Sequence, residues 1–241
     1  MRETGARPRG KGIWALSAKD PQIRVLSACY DCTHMRFVYS DSVLISADSN
    51  ADGIGALECS NLSSISISTG SSVDVVSATL DLLCNVTGGG DLALACSTTD
   101  CEMSFGGDIN RYSNTSAYHV SNTEFVQLQT SGDMVFGSQA GQNVSTMWLD
   151  GVSAAFDAKN VSFLSSSGHI RILNGSSSFS FSGISASFTM NALGNISFET
   201  NFAIDLSNGG SSIFKASGAF GRVFFHCISS TFMQCLQTLG L

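Results

Sequence analysis

Asp48-Ser49-Asn50-Ala51-Asp52-Gly53 reproduces the first half of a calcium loop. Oxygen-bearing side chains at alternate positions converge on one ion while a glycine makes the bend. An EF-hand needs Glu at its twelfth position, where this chain has Cys59, with Glu58 one residue early. Asp48, Asn50, Asp52 and Glu58 are therefore candidate ligands of a non-EF calcium site, set against an Asx-rich turn. Calcium is the single candidate ion, and no organic cofactor is expected.

Eight cysteines stand at 29, 32, 59, 84, 96, 101, 227 and 235. Cys29-Tyr30-Asp31-Cys32 with His34 nearby lacks the second ligand pair that a zinc site uses. Nor does it open a helix in a βαβ unit, as a redox motif would. Disulfides are the preferred reading, with Cys29, Cys32, Cys96, Cys101, Cys227 and Cys235 as candidates. Cys96 and Cys101 would close a small loop, and Cys227 and Cys235 would pin the C-terminal end, although eight cysteines leave the connectivity open. Seven Asn-x-Ser/Thr sequons occur, at Asn61, Asn85, Asn114, Asn143, Asn160, Asn174 and Asn195. Cysteines and sequons together place the chain in an oxidising, extracellular or cell-surface setting.

Catalytic motifs are absent from the text. His34, His119, His169 and His226 sit in no G-x-S-x-G or H-E-x-x-H context. Gly168-His169-Ile170-Arg171 echoes a pectinolytic motif without its second Gly or its Lys. A glycosidase would bring two carboxylates close together. Asp133, Asp150 and Asp157 are the acids that neighbouring passes of the chain would bring together, and turn capping explains acids at such corners equally well. The chain is not expected to be an enzyme.

These residues need a scaffold, and the spacing describes one. Short apolar segments begin near Phe125, Met134, Val144, Val152, Val161, Ile170, Phe179, Phe188, Ile196, Ile204, Ile213 and Val223. Ser, Gly, Asn and Asp fill the gaps. Upstream, Ile23–Ala28, Arg36–Ala47, SISIS, VDVVS, TLDLLC, DLALAC and EMSF read as strands, with looser spacing. The alternation of apolar and polar residues has period two, the mark of a strand with one buried face. No window sustains a 3.6-residue pattern, so long helices are not expected. Several strands open with Gly and a polar residue: Gly90-Asp91, Gly132-Asp133, Gly168-His169, Gly194-Asn195, and Gly107-Asp108 as a shortened copy. Glycine's access to positive φ and the capping power of Asp and Asn make these corners. The segment Phe179, Phe181, Phe188, Phe198 and Phe202 reads as stacking inside the core.

Composition agrees. Serine and threonine make up 41 and 15 of the 241 residues, there are 24 Gly, and no proline follows Pro21. Yet 43% of residues are hydrophobic and 16 are Phe, so a core can form. A proline-free run suits continuous hydrogen-bond ladders. The net charge is −7, but seven of the twelve Lys/Arg fall within residues 1–36. The acidic remainder excludes a nucleic-acid role, which needs clustered basic residues. No segment supplies the ~20 apolar residues of a membrane helix. Met1 to Ser17 contains no signal-peptide core, so the chain is either not secreted or a fragment of a longer one, and the eight cysteines favour the fragment.

The stretch Val43–Leu57, followed by ISIST, GGGDLAL and TSGDMVF, resembles filamentous-haemagglutinin-type repeats of secreted bacterial adhesins and autotransporter-like proteins. The resemblance covers roughly residues 40–225. It implies a right-handed parallel β-helix and a role in adhesion or surface structure. The cysteines and sequons depart from bacterial members and suggest a eukaryotic relative.

The expectation is therefore all-β: a single right-handed parallel β-helix (β-solenoid) of roughly 8–12 coils with few or no helices. Residues 1–22 would be a disordered basic leader, 23–225 the solenoid and 226–241 a tail. The function expected is that of a non-catalytic extracellular structural or adhesive segment of a larger surface protein. A β-helix polysaccharide lyase or glycoside hydrolase is the alternative. Expected partners are carbohydrate or surface proteins, with no nucleic acid and no direct membrane insertion.

Overall fold

The computed structural model describes residues 42–46, 57, 59, 64–107, 118–137, 144–173, 177–200, 202–206, 208–219 and 221–224 in full. It describes the backbone alone of Ile13–Leu16, Gln22–Leu26, His34–Phe37, Ala56, Glu58 and Phe225. In chain order the first strands are β1 (Ile13–Leu16), β2 (Gln22–Leu26), β3 (His34–Phe37), β4 (Ser42–Ser46), β5 (Ala56–Cys59), β6 (Ser64–Ile67), β7 (Ser72–Ser77) and β8 (Thr79–Leu82). Next come β9 (Asn85–Gly88), β10 (Asp91–Cys96), β11 (Cys101–Gly106), β12 (Tyr118–Val120) and a short helix, α1 (Asn122–Gln127). The chain continues through β13 (Leu128–Thr130), β14 (Asp133–Gly137), β15 (Val144–Asp150), β16 (Ser153–Phe156), β17 (Asn160–Ser165) and β18 (His169–Leu173). It closes with β19 (Ser177–Phe181), β20 (Ala186–Ala192), β21 (Ile196–Phe198), β22 (Phe202–Asp205), β23 (Gly210–Ala216) and β24 (Val223–Phe225).

The protein is all-β, and every described strand pairing is parallel. The largest sheet has eight strands, ordered β2-β4-β7-β10-β14-β17-β20-β23. A second run comprises β5-β8 and then β12-β11-β15-β18-β21-β24, with β12 packed beside β8. A third comprises β1-β3-β6-β9-β13 and then β16-β19-β22, with β16 beside β13 and α1. From β4 onward the chain visits these three runs in a fixed order, and one long pass adds β12 as an extra strand of the second run. Neighbours within a sheet are therefore separated by a whole pass of sequence, β11 and β12 excepted.

The length of a pass changes along the molecule. In the eight-stranded sheet Ser42 faces Ser72, and their positions differ by 30. The next step, from Ser72 to Asp91, is much shorter. The one after that is the longest: Leu92 faces Met134, and Asp91 and Asp133 at the same corner differ by 42. Beyond it the steps are nearly even. Asp133 faces Asn160 and Asn160 faces Ser187, with a difference of 27 in both cases. The last step, from Ser187 to Ser211, is slightly shorter, and the regular beat of the sequence is this nearly even pass divided among three sheets.

Period-two burial sends alternate residues to one shared interior. That core is aliphatic upstream, with Ile65, Ile67, Val73, Leu82 and Leu94 at 2% exposure or less. Downstream it is phenylalanine: Phe163 has its ring centroid 4.9 Å from Phe136, 5.2 Å from Phe105, 5.6 Å from Phe179 and 5.8 Å from Phe188. Phe179, Phe181, Phe188 and Phe198 are all buried, and Phe202 packs against them. Each tilted or stacked ring pair adds about 0.5–1.5 kcal/mol beyond area burial.

Two expectations are corrected. Phe125 does not begin a strand; it is buried within α1. Ser121 caps that helix by accepting from the Glu124 N–H, while the Glu124 carboxylate accepts from the Ser121 N–H, a reciprocal capping box that fixes the helix start. The corner glycines also work differently. Positive φ is found at Gly107 but not at Gly90, Gly132, Gly168 or Gly194. A Cβ at Gly132 would collide with the Gly90 carbonyl, and one at Gly168 with the Ser145 carbonyl. These corners need glycine because the preceding pass lies too close for a side chain.

Candidate functional site

The chemistry-bearing residues fall on two outward columns. The first opens the strands of the eight-stranded sheet, where Asp91 and Asp133 at Gly-polar corners, then Asn160 and Ser187, stand one above another. The Asp133 N–H donates to Asp91 Oδ1 at 2.8 Å. Asn160 Nδ2 donates to Asp133 Oδ1 at 2.6 Å, and Ser187 Oγ donates to Asn160 Oδ1 at 2.5 Å. Upstream, Ser72 Oγ donates to Ser42 Oγ at 2.9 Å. Each corner side chain thus satisfies a polar group one pass away, which parallel stacking otherwise leaves to solvent. His169 and Asn195 do the same on the second run. His169 Nδ1 accepts from the Asn195 N–H at 2.8 Å, and Asn195 Oδ1 accepts from the Arg222 N–H at 3.0 Å.

The second column runs along the outer face of β12, β11, β15, β18, β21 and β24. Register aligns His119, Ser104, Trp148, Arg171, Ser197 and Phe224. Met103, Phe105, Met147 and Leu149 point inward between them, which turns these residues outward. Ser104 Oγ and His119 Nδ1 form a 2.8 Å hydrogen bond. The Arg171 guanidinium lies 5.0 Å from the Trp148 ring centre and donates to Glu199 at 2.7 Å. A serine beside an imidazole is the first half of a nucleophilic relay. Ser104, however, is fully buried between its neighbours in the column, so its hydroxyl is out of reach of a substrate carbonyl. The Arg171–Glu199 pair is exposed on both sides and contributes about 0.2–1 kcal/mol. What the column offers outward is a planar cation over an indole, beside a carboxylate.

A third group is internal. Glu124 is buried at 6% exposure, and its carboxylate also accepts from the Leu82 N–H at 2.8 Å, across to β8. Tyr118 and Ser77 place hydroxyls in the core without a close hydrogen bond. Burial raises the Tyr118 hydroxyl above its ordinary value, the Ser77 hydroxyl lowers it and the nearby Glu124 carboxylate raises it further.

The acids singled out in the sequence each have work of their own. Asp133 joins the corner ladder and Asp157 accepts from Ser182 Oγ at 2.5 Å. Asp150 is buried at the end of β15, against Gly107. Asp48, Asn50 and Asp52 lie outside the described residues, as does the Glu58 side chain, and no metal-ligand cluster occurs among the described residues. Cys29, Cys32, Cys227 and Cys235 also lie outside, with Asn61, Asn114, Asn143 and Asn174.

Cys96 and Cys101 are paired across the corner between β10 and β11, Cα atoms 6.5 Å apart. Sequence reasoning missed the pair Cys59–Cys84, whose Cα atoms are 5.4 Å apart. Its 25-residue separation is close to one pass of the chain, and that is the signal that would have found it. The Ser104–His119 pair was also missed, since nothing in the text shows β12 returning beside β11. Among the described residues no helix is long and apolar enough to cross a membrane. Comparison with family profiles, curated proteins and solved structures finds no match in any of the three.

Proposed function

We propose that this chain is a non-catalytic extracellular structural or adhesive segment, built as a single right-handed parallel β-helix and belonging to a larger surface protein of the filamentous-haemagglutinin-like type. The observation that carries the reading is the fixed order in which the chain visits three runs of parallel strands, with passes of nearly even length downstream. One interior serves the described passes from Val43 onward, and polar ladders face outward, the arrangement of a repeat scaffold that presents long flat faces. Two disulfides support an oxidising compartment. The carboxylates of Asp91, Asp133 and Asp157 hold neighbouring passes, which supports a structural reading of acids that a lyase or glycosidase would need at its cleft. Carbohydrate or a surface protein is the expected partner, with the Trp148–Arg171–Glu199 strip as its contact.

The test is surface biotinylation and thiol alkylation of cells that make the protein, followed by capture with an antibody to the chain. Recovery from the surface or medium with Cys59 and Cys84 protected from alkylation is the expected result. A cytosolic protein with all cysteines alkylated would sink the proposal.

A further inference from the structure

The described sequon asparagines are not equivalent. Asn85 opens β9 with its side chain exposed, and the strand is anchored behind it by buried Val86. Cys84, immediately before it, is tied to Cys59, which fixes the corner that presents Asn85. Asn160 is bound on both sides: its amide nitrogen donates to Asp133 and its carbonyl oxygen accepts from Ser187. Asn195 is half-buried and its oxygen is committed to the Arg222 amide.

We propose that Asn85 is an N-glycan acceptor and that Asn160 stays unmodified, its amide kept as a rung of the corner ladder. The reaction needs a lipid pyrophosphate-linked oligosaccharide and the membrane transferase of the secretory pathway. Asn85 Nδ2 forms a bond to the anomeric carbon of the first sugar, and the bond from that carbon to the pyrophosphate oxygen breaks. The lipid pyrophosphate leaves with the electron pair, and the amide loses one proton to the transferase. A glycan on Asn85 projects from an exposed strand end into solvent. On Asn160 it would replace one amide hydrogen of a nitrogen wedged against Asp133, and so push two stacked passes apart.

The proposal rests on the extracellular reading for its occurrence in the native setting. Its test does not, because a fused signal peptide supplies the compartment. The full chain is secreted from a glycosylating host, and its glycopeptides are mapped by mass spectrometry before and after enzymatic glycan release. The expected result is a glycan on the Asn85 peptide, none on the Asn160 peptide, and loss of one glycan's mobility shift in N85Q. An unmodified Asn85, or a glycan on Asn160 in the secreted wild-type chain, would overturn it.

Discussion

The two halves of the molecule hold the same parallel stack by different means. Upstream of Glu102 the described passes vary in length, the core is aliphatic, and both described disulfides are found there. From Phe105 onward the core fills with phenylalanine, and after the long pass the passes are nearly even; every buried phenylalanine among the described residues lies in this half. Rings already stack across the long pass, where Phe105 lies 5.8 Å from Phe125 and 5.6 Å from Phe136, because strand register aligns them whatever the length of the connecting loops. Downstream, aromatic columns supply the cohesion. Upstream, aliphatic residues fill the interior, Cys59–Cys84 ties one pass to the next and Cys96–Cys101 closes a corner within a pass. The boundary is the long pass that holds β12 and α1.

The strongest way to break this contrast is to remove a ring. Phe163→Ala opens a cavity among four neighbouring rings and is expected to cost about 3–5 kcal/mol in denaturant unfolding. A loss below about 1 kcal/mol would mean the stack is not cohesive. Next in size is Cys59→Ser with Cys84→Ser. Its 25-residue loop gives about 3.5 kcal/mol by loop-closure entropy, against about 2 kcal/mol for the five-residue Cys96–Cys101 loop. The same contrast is read by hydrogen exchange under reducing conditions: upstream strands lose protection while β17 and β20 keep theirs.

At the boundary, Glu124→Ala leaves the Leu82 and Ser121 amides without their acceptor and should cost about 2–3 kcal/mol. Faster exchange at those two amides would mark the cause; unchanged exchange would remove α1 from the account. The smallest effect is at Asp74, on the outer face of β7 between Leu44 and Ala93. Burial raises its carboxyl above the ordinary value. The folded state therefore binds that proton more tightly than the unfolded chain, and ionisation costs stability at neutral pH. Asp74→Asn should be more stable than the native chain at pH 7. The advantage should shrink as the pH falls through the raised value, because the native carboxyl then becomes neutral as well. An advantage independent of pH would contradict this.

Much of the downstream half is legible in the sequence, for a physical reason. With three strands per pass of nearly even length, Val161 and Phe188 occupy equivalent positions, and alternation alone identifies their inward face. The long pass is harder. Phe125 continues the apolar beat, yet Ser121 and Glu124 stand at capping-box spacing, and those local hydrogen bonds outweigh a periodicity that only packing would enforce. Corner glycines are legible as corners, but the reason for them is not. At Gly132 it is the carbonyl of Gly90, a whole pass earlier in the chain, a closeness that no local rule encodes. The same holds for the Trp148–Arg171–Glu199 strip, whose members meet only once the register is known.

The central claim is that the chain climbs one strand spacing per pass along the eight-stranded sheet. Spin labels introduced as non-natural amino acids, sparing the cysteines, at Ser42, Ser72 and Ser211 test it by pulsed dipolar spectroscopy. Ser211 stands five strand steps from Ser72 and six from Ser42. At ~4.8 Å per step, the backbone separations should be about 24 Å and about 29 Å, rising in that order. Equal distances, or a Ser42 pair closer than the Ser72 pair, would contradict the stacked-pass architecture.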